Sequence, residues 1–342
     1  MHNRKLSLIV CTYMRPVAVC TLLDSVQLQS KYPDEILIID GSTDNATEDR
    51  FREPASPAGR SVYKNLTYYK VPPAHRGLTK QRNYGIDRVG DAIEIVCFLD
   101  DDIVLEPTYF EEILTTYQEY PEALGVGGYI VNEVSWEKVE QPFTPAINQF
   151  YYDGYVRSDG SRYVLRKKLG LDANRPPGFL PTFSHGRSIS FLPPSGKTYQ
   201  VEQLMGGVAS YRICALKSQK FSEYFEGYGL YEDADYTLRL SKKGHLYINT
   251  NAQLHHYHDP GGRPNHFKYG KMVLRNGWYI WRSKYENPTL KQRLLWNLTA
   301  FVLTLVRVSN AIRGQDKKAA LNESLGRIYG WLSLIFNKPK HI

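Results

Sequence analysis

Cysteine is scarce in this 342-residue chain: there are four, Cys11, Cys20, Cys97 and Cys214, and no two form a CxxC pair. That spacing excludes a disulfide framework and a cysteine zinc site. Cys11 and Cys97 sit inside apolar runs and read as reduced core residues in a cytosolic setting. The opening MHNRKLSLIVCTYMRP starts basic, but its apolar stretch is far too short for a signal peptide, so none is expected. No internal repeat or long low-complexity tract occurs, which excludes a repeat architecture. A phosphate loop is missing as well. PPSGKT at 193–198 has the right ending, but such a loop needs Gly at 191, and the chain has Phe191.

What is present is ordinary in amount and uneven in place. The chain is long enough for one large domain or two smaller ones, and 42% hydrophobic with 23% charged residues suits a globular protein. Tyrosine is plentiful, at 26 residues. The net charge of +8 is concentrated at one end: residues 260–342 carry 15 Lys+Arg against Glu286, Asp316 and Glu323, while the rest holds 28 basic and 32 acidic residues. A basic tail on a mildly acidic body points to a polyanionic partner. No nucleic-acid motif accompanies the tail, so an anionic membrane is the expected one.

The first 120 residues alternate. LSLIVCT (6–12), EILIID (35–40), NLTYYKV (65–71) and IEIVCFLD (93–100) read as strands. Pro16 to Leu28, residues 77–89, and a stretch from Pro107 to about Tyr117 read as helices. This rhythm predicts an α/β fold with a mostly parallel sheet flanked by helices. Ligands of such sheets bind at the carboxyl ends of the strands. Three clusters fall there: Thr12-Tyr13-Met14-Arg15, Asp40-Gly41-Ser42-Thr43-Asp44, and Asp100-Asp101-Asp102. Residues 132–200 are Pro-, Gly- and Tyr-rich with little periodicity and read as a long functional insertion.

Asp100 and Asp102 are two apart, which in an extended segment aims both carboxylates into one cleft. Together they repel unless a cation lies between them, and oxygen donors suit Mg²⁺ or Mn²⁺. The alternative is a solvated loop whose Asp102 favours the next helix N-terminus. Asp40 can accept from the imino N–H of a pyrimidine base and can cap its own turn, two roles that are compatible, with Asp44 starting the helix. Arg82 and Asn83 could reach phosphate or sugar. FEGYGLYEDADYTLRL (225–240) places Glu232, Asp233 and Asp235 at a helix start. Asp235 favours the helix dipole, and Asp233 is the candidate general base. In LHHYHDPGGR (254–263), His256 is the first choice to complete a metal site and His258 the second.

SLIVCTYMRP, IIDGSTD, GLTKQRN, FLDDDI, GYGLYEDADYTLRL and the downstream His with GGR, in that order, resemble the family 2 glycosyltransferases of the GT-A fold. The resemblance covers about residues 6–131 and 201–285, and bacterial polysaccharide and rhamnosyl-type transferases are similar. It implies a Rossmann-like GT-A sheet and an inverting, metal-dependent hexosyl transfer from a UDP- or dTDP-sugar to a glycan or lipid-linked acceptor. By the same resemblance, Thr12, Tyr13 and Arg15 border the nucleotide, Asp40 contacts the base and Arg82 lies near the diphosphate. Asp100 faces ribose or metal, Asp102 ligates Mn²⁺ or Mg²⁺, and Asp101 belongs with the nucleotide-binding residues, its sharing of the metal left open by the DDD run. Asp233 of the Glu232–Asp233 pair is the catalytic base. Residues 1–131 form the nucleotide-sugar half and 132–285 the acceptor and catalytic half. The resemblance departs at Ile39, where the family often has a second acid. A sugar-nucleotide-forming nucleotidyltransferase is the rival enzyme, but its Gly-rich loop is replaced by TYMRP. A non-catalytic glycan- or nucleotide-binding module is the other.

Residues 286–342 match nothing in that resemblance. RLLWNLTAFVLTLVRVSNAI (293–312) carries a narrow polar stripe of Arg293, Asn297, Thr304 and Arg307, and Arg307 near its middle argues against a spanning helix. IYGWLSLIF (328–336) precedes Lys338 and Lys340. These segments are expected as amphipathic helices that lie on an anionic bilayer, pack on the protein or form a homodimer interface. The expected location is cytoplasmic, peripheral on the inner face of the cell membrane.

Overall fold

The computed structural model describes residues 4–52, 63–183, 185–225, 227–258 and 265–339. The GGR at 261–263 and Lys340 lie outside the described residues. The chain divides into two compact units, Met1–Val134 with Pro194–Arg263, and Ser135–Pro193 with Pro264–Ile342.

The first unit begins with β1 (Leu6–Thr12), α1 (Pro16–Gln27), β2 (Glu35–Asp40), α2 (Ala46–Arg52) and β3 (Leu66–Lys70). It continues with α3 (Leu78–Ile86), β4 (Ile95–Asp100), β5 (Ile103–Leu105), α4 (Tyr109–Glu119) and β6 (Ala123–Ile130). The second unit takes β7 (Glu137–Lys138), β8 (Gln149–Tyr152), β9 (Tyr155–Ser158) and α5 (Ser161–Lys168). The first unit resumes with β10 (Thr198–Val201), β11 (Val208–Arg212), α6 (Ile213–Ser218), α7 (Glu232–Leu240) and β12 (His245–His256). Helices α8 (His266–Lys284), α9 (Leu290–Arg313) and α10 (Lys317–Phe336) complete the second.

The sheet of the first unit has the order β3-β2-β1-β4-β11-β6-β12-β10, with β5 on β12. Strands β1, β2, β3, β4, β6 and β12 run one way, and β5, β10 and β11 run against them. This is the α/β, mainly parallel sheet that the alternation predicts, and it is GT-A-like as the resemblance implies. Its apolar runs are unbroken because both faces are covered. Leu6, Leu8 and Val10 join Val19 and Leu22 of α1 and Phe110 and Ile113 of α4 in one core, while Ile9 and Ile39 lie against α3 at Gly85. Each such side chain contributes roughly 1.5–3 kcal/mol by leaving water. Thr12 lies opposite Asp40 and Cys11 opposite Asp100, so the polar ends of β1, β2 and β4 emerge at one edge. All four cysteines are free.

The second unit corrects the reading of 132–200 as irregular. Strands β7, β9 and β8 form an antiparallel sheet. Its centre is a buried cation: Arg187 lies 4.2 Å from the Phe150 ring centroid and 4.4 Å from that of Tyr163, and it donates to Asp159 at 2.7 Å and Asp172 at 3.0 Å. A core of aromatics around one guanidinium has no apolar periodicity to read.

The predicted tail helices are present. α10 packs on both α8 and α9. Part of the polar stripe of α9 turns inward, with Thr304 buried and Arg307 2.8 Å from Glu323 of α10. The apolar stripe is left outward: Leu290, Leu294, Leu298, Phe301, Leu305 and Ile312 are all exposed. By length and composition, α9 is the one helix among the described residues able to cross a membrane.

Candidate active site

The three acids behind β4 separate into two roles. The chain turns at Asp101 and Asp102 instead of continuing extended, and β5 begins at Ile103. The turn still brings Asp100 and Asp102 together: one ligand atom from each, and one from His256, all lie within 4.8 Å of one another. Asp101 points elsewhere. It is buried, accepts from Thr12 Oγ1 at 2.6 Å and from Arg15 Nη1 at 2.8 Å, and burial pushes its carboxyl up to about 6 despite those donors. Arg15 also lies 3.5 Å from Asp102. Thr12 and Arg15 thus brace the acidic turn from β1 and the start of α1, while Tyr13 beside them is exposed.

Asp40 is fully buried, with Oδ1 accepting from the Ser42 amide at 2.7 Å and Oδ2 from the Tyr68 hydroxyl at 2.6 Å. Its turn is therefore capped as the second reading proposed, and Asp44 accepts from the Ala46 amide at the start of α2. Asn83 binds the Phe221 backbone through both amide atoms, at 2.9 and 3.0 Å.

Arg82 is the buried cation of the site, 2% exposed. It is ion-paired with Glu232 at the first turn of α7, and its Nη2 lies 3.8 Å from Asp100. Phe98 and Phe221 flank the guanidinium, with centroids at 5.7 and 5.2 Å. Burial lifts the Glu232 carboxyl above its ordinary value against the pull of Arg82. Glu232 Oε2 is buried with no hydrogen-bond partner among the described residues. Next to it, Asp233 accepts from the Gly206 amide at 3.1 Å and from the Ala234 amide at 2.7 Å. Asp235 reaches Arg239 at 2.7 Å, one turn on.

Gly206 and Gly207 make this closeness possible. A Cβ on Gly206 would fall 2.6 Å from Arg82 and from Glu232, and one on Gly207 2.1 Å from Asp100. Desolvation raises the Asp100 carboxyl, Arg82 lowers it, and Asp102 and Asp233 raise it further. One carboxylate therefore feels both the predicted metal acid and the predicted base.

His256 ends β12, held beside β5 by pairing with Ile103. Its Nε2 lies 3.1 Å from Asp102 and its Nδ1 3.0 Å from Glu133. Burial alone would lower this imidazole, but the two carboxylates carry it up to about 10. His258, the second choice, is placed with Glu133 at 2.9 Å and not with the aspartates. Two carboxylates and one imidazole, with ligand atoms within 4.8 Å of one another, are a donor set that fits Mn²⁺ or Mg²⁺. Sequence reasoning missed Glu133, Gly206 and Gly207. The adjacent glycines of QLMGGVAS were the only local signal for any of them.

Among known proteins, the glucosyl-dolichyl phosphate glucuronosyltransferase of Haloferax volcanii is 28% identical over 152 residues, which is 43% of this chain and 44% of that relative. The chain thus matches less than half the length of this curated relative. Two crystal structures of S. aureus TarS are similar at 15% identity over 90% of this chain. One covers 43% of the TarS chain with a TM-score of 0.46; the other, of TarS 1-349 in complex with UDP, covers 72% with a TM-score of 0.47. The sequence model of glycosyl transferase family 2 matches residues 7–187. That match takes in the first three polar strand ends and spans more than half of the chain, and by it this chain belongs to glycosyl transferase family 2.

Proposed function

We propose that the chain is an inverting, metal-dependent glycosyltransferase of hexosyl type. It moves a sugar from a UDP- or dTDP-sugar to a hydroxyl of a glycan or lipid-linked acceptor in polysaccharide biosynthesis. The observation that carries the reading is the gathering of Asp100, Asp102 and His256, whose ligand atoms lie within 4.8 Å of one another, with Arg82 3.8 Å from Asp100 and ion-paired with Glu232, the neighbour of Asp233. Residues 1–131 bind the nucleotide sugar, with Thr12, Tyr13, Arg15 and Asp40 at the nucleotide, and 132–285 supply the acceptor contacts and Asp233. Asp233 takes the proton of the acceptor hydroxyl as that oxygen attacks the anomeric carbon. The bond to the diphosphate breaks, its electron pair leaves with the nucleoside diphosphate, and the configuration inverts. Arg82 and its aromatic flank hold positive charge next to Asp100. A divalent ion held by Asp100, Asp102 and His256 would offset the charge on the departing diphosphate.

Mn²⁺ with UDP or dTDP is expected to raise the thermal midpoint by several degrees, and GDP much less. Asp102→Ala is expected to remove the metal-dependent part of that shift. Equal stabilisation of the variant, or a shift indifferent to Mn²⁺, would count against the metal site.

The same proposal places the enzyme in the cytoplasm, peripheral on the inner face of the cell membrane. The support is the exposed apolar stripe of α9, continued on α10 by Leu321, Leu325, Ile328, Leu332, Ile335 and Phe336, the last 90% exposed. Phe301 and Trp331 join the two stripes at 6.1 Å. Exposed Lys291, Arg313, Lys317, Lys318 and Lys338 supply the charge that an anionic bilayer complements. The full chain is expected to float with vesicles containing phosphatidylserine and not with neutral ones, and Leu294→Glu with Ile335→Glu to abolish flotation. No flotation, together with a dimer that the same changes dissociate, would assign the face to a second copy instead.

A further inference from the structure

We infer that Glu133 is a positioning residue: it fixes the ring of His256 so that Nε2 faces the Asp100–Asp102 pair. The inference rests on the metal reading above. An imidazole that ligates through Nε2 carries its proton on Nδ1, and a carboxylate on that N–H sets both the tautomer and the plane of the ring. Glu133 is that carboxylate, 3.0 Å from Nδ1, while Nε2 is 3.1 Å from Asp102.

The backbone around the ring is pinned from the same segment. The Asn132 side chain accepts from the His256 amide at 3.0 Å and donates to the His256 carbonyl at 2.9 Å. Val131 donates to Leu254 at 3.0 Å, and Tyr257 donates to the Asp102 carbonyl at 3.0 Å. The extension of β6 through Asn132 and Glu133 therefore brackets the end of β12 on one side, and the acidic turn brackets it on the other. His258 shares the same Glu133 oxygen at 2.9 Å, and its ring centroid lies 4.0 Å from that of His256. His258 is thus a second donor to Glu133, placed with it and not with Asp100 and Asp102.

The test is Mn²⁺ binding to the full chain in the presence of UDP, followed by electron paramagnetic resonance. Thermal midpoints show that each variant is folded. Glu133→Ala is expected to weaken Mn²⁺ binding about 10–100-fold. Glu133→Gln, whose amide oxygen still accepts from Nδ1–H, is expected to recover most of it. His258→Ala should stay within about threefold of the parent, with one ion per chain. Parent-like Mn²⁺ affinity in Glu133→Ala, while Asp102→Ala loses it, would overturn this inference alone. A second ion lost equally in Glu133→Ala and His258→Ala would overturn it too, making Glu133 a ligand. A parent chain that binds no Mn²⁺, or an Asp102→Ala chain that binds it normally, would overturn the metal reading and this inference with it.

Discussion

Asp233→Asn is expected to lower the rate of sugar transfer by about two to four orders of magnitude while UDP affinity changes by no more than a few-fold. The variant keeps the shape of the side chain, and its amide oxygen can still accept from the Gly206 or the Ala234 amide, as Asp233 does at 3.1 and 2.7 Å. What it loses is the ability to take a proton. The loss should therefore fall on turnover and leave nucleotide binding, which the proposal assigns to Arg82 and the strand-end residues, in place. Transfer measured with a radiolabelled sugar nucleotide, beside UDP titration of the same preparation, separates the two. Equal transfer by variant and parent would refute the assignment of the base.

Arg82→Met should cost about 3–5 kcal/mol of stability, the usual penalty for stripping one partner from a buried ion pair. Glu232 is 4% exposed and one of its oxygens has no hydrogen-bond partner among the described residues, so Arg82→Met strips a buried carboxylate of its ion-pair partner. The pH dependence gives a signature. Burial already raises the Glu232 carboxyl from 4.5 to about 8 in the presence of Arg82, and removing the cation raises it further. A group whose folded value lies above its unfolded value supports the fold below the unfolded value and withdraws that support as pH rises through the folded one. Parent and Arg82→Met should thus lose this support together up to about pH 8, and above that the urea midpoint of Arg82→Met should fall further behind the parent. Adding Glu232→Leu to Arg82→Met should restore much of the loss and flatten the pH dependence, because a matched apolar pair leaves no buried charge. A single variant within about 0.5 kcal/mol of the parent at pH 8 would contradict the burial of this pair.

The strand ends were legible for a simple reason. LSLIVCT, EILIID and IVCFLD are apolar on both faces and stop at Thr12, Asp40 and Asp100, and a parallel sheet puts such stops at one edge. The start of α7 was legible through its acids, and His256 through alternation out of β12. The DDD run was read as alternating. The turn at 101–102 reached the same pairing of Asp100 with Asp102 by a different route and sent Asp101 to Thr12 and Arg15. The residues 132–200 were illegible because their order comes from Arg187 among aromatics, a pattern without a period.

The sequence by itself determined the α/β alternation, the edge at which polar residues gather and the acids that stand there, because burial on both strand faces writes a local, continuous pattern. Only the tertiary structure decided that Arg82 meets Glu232, that Glu133 meets His256, that Gly206 and Gly207 leave room for Arg82 and Asp100, and which stripe of α9 looks outward. Those pairings join residues scores of positions apart, and the electrostatic cost of leaving such groups unpaired acts through space and leaves no periodic trace along the chain.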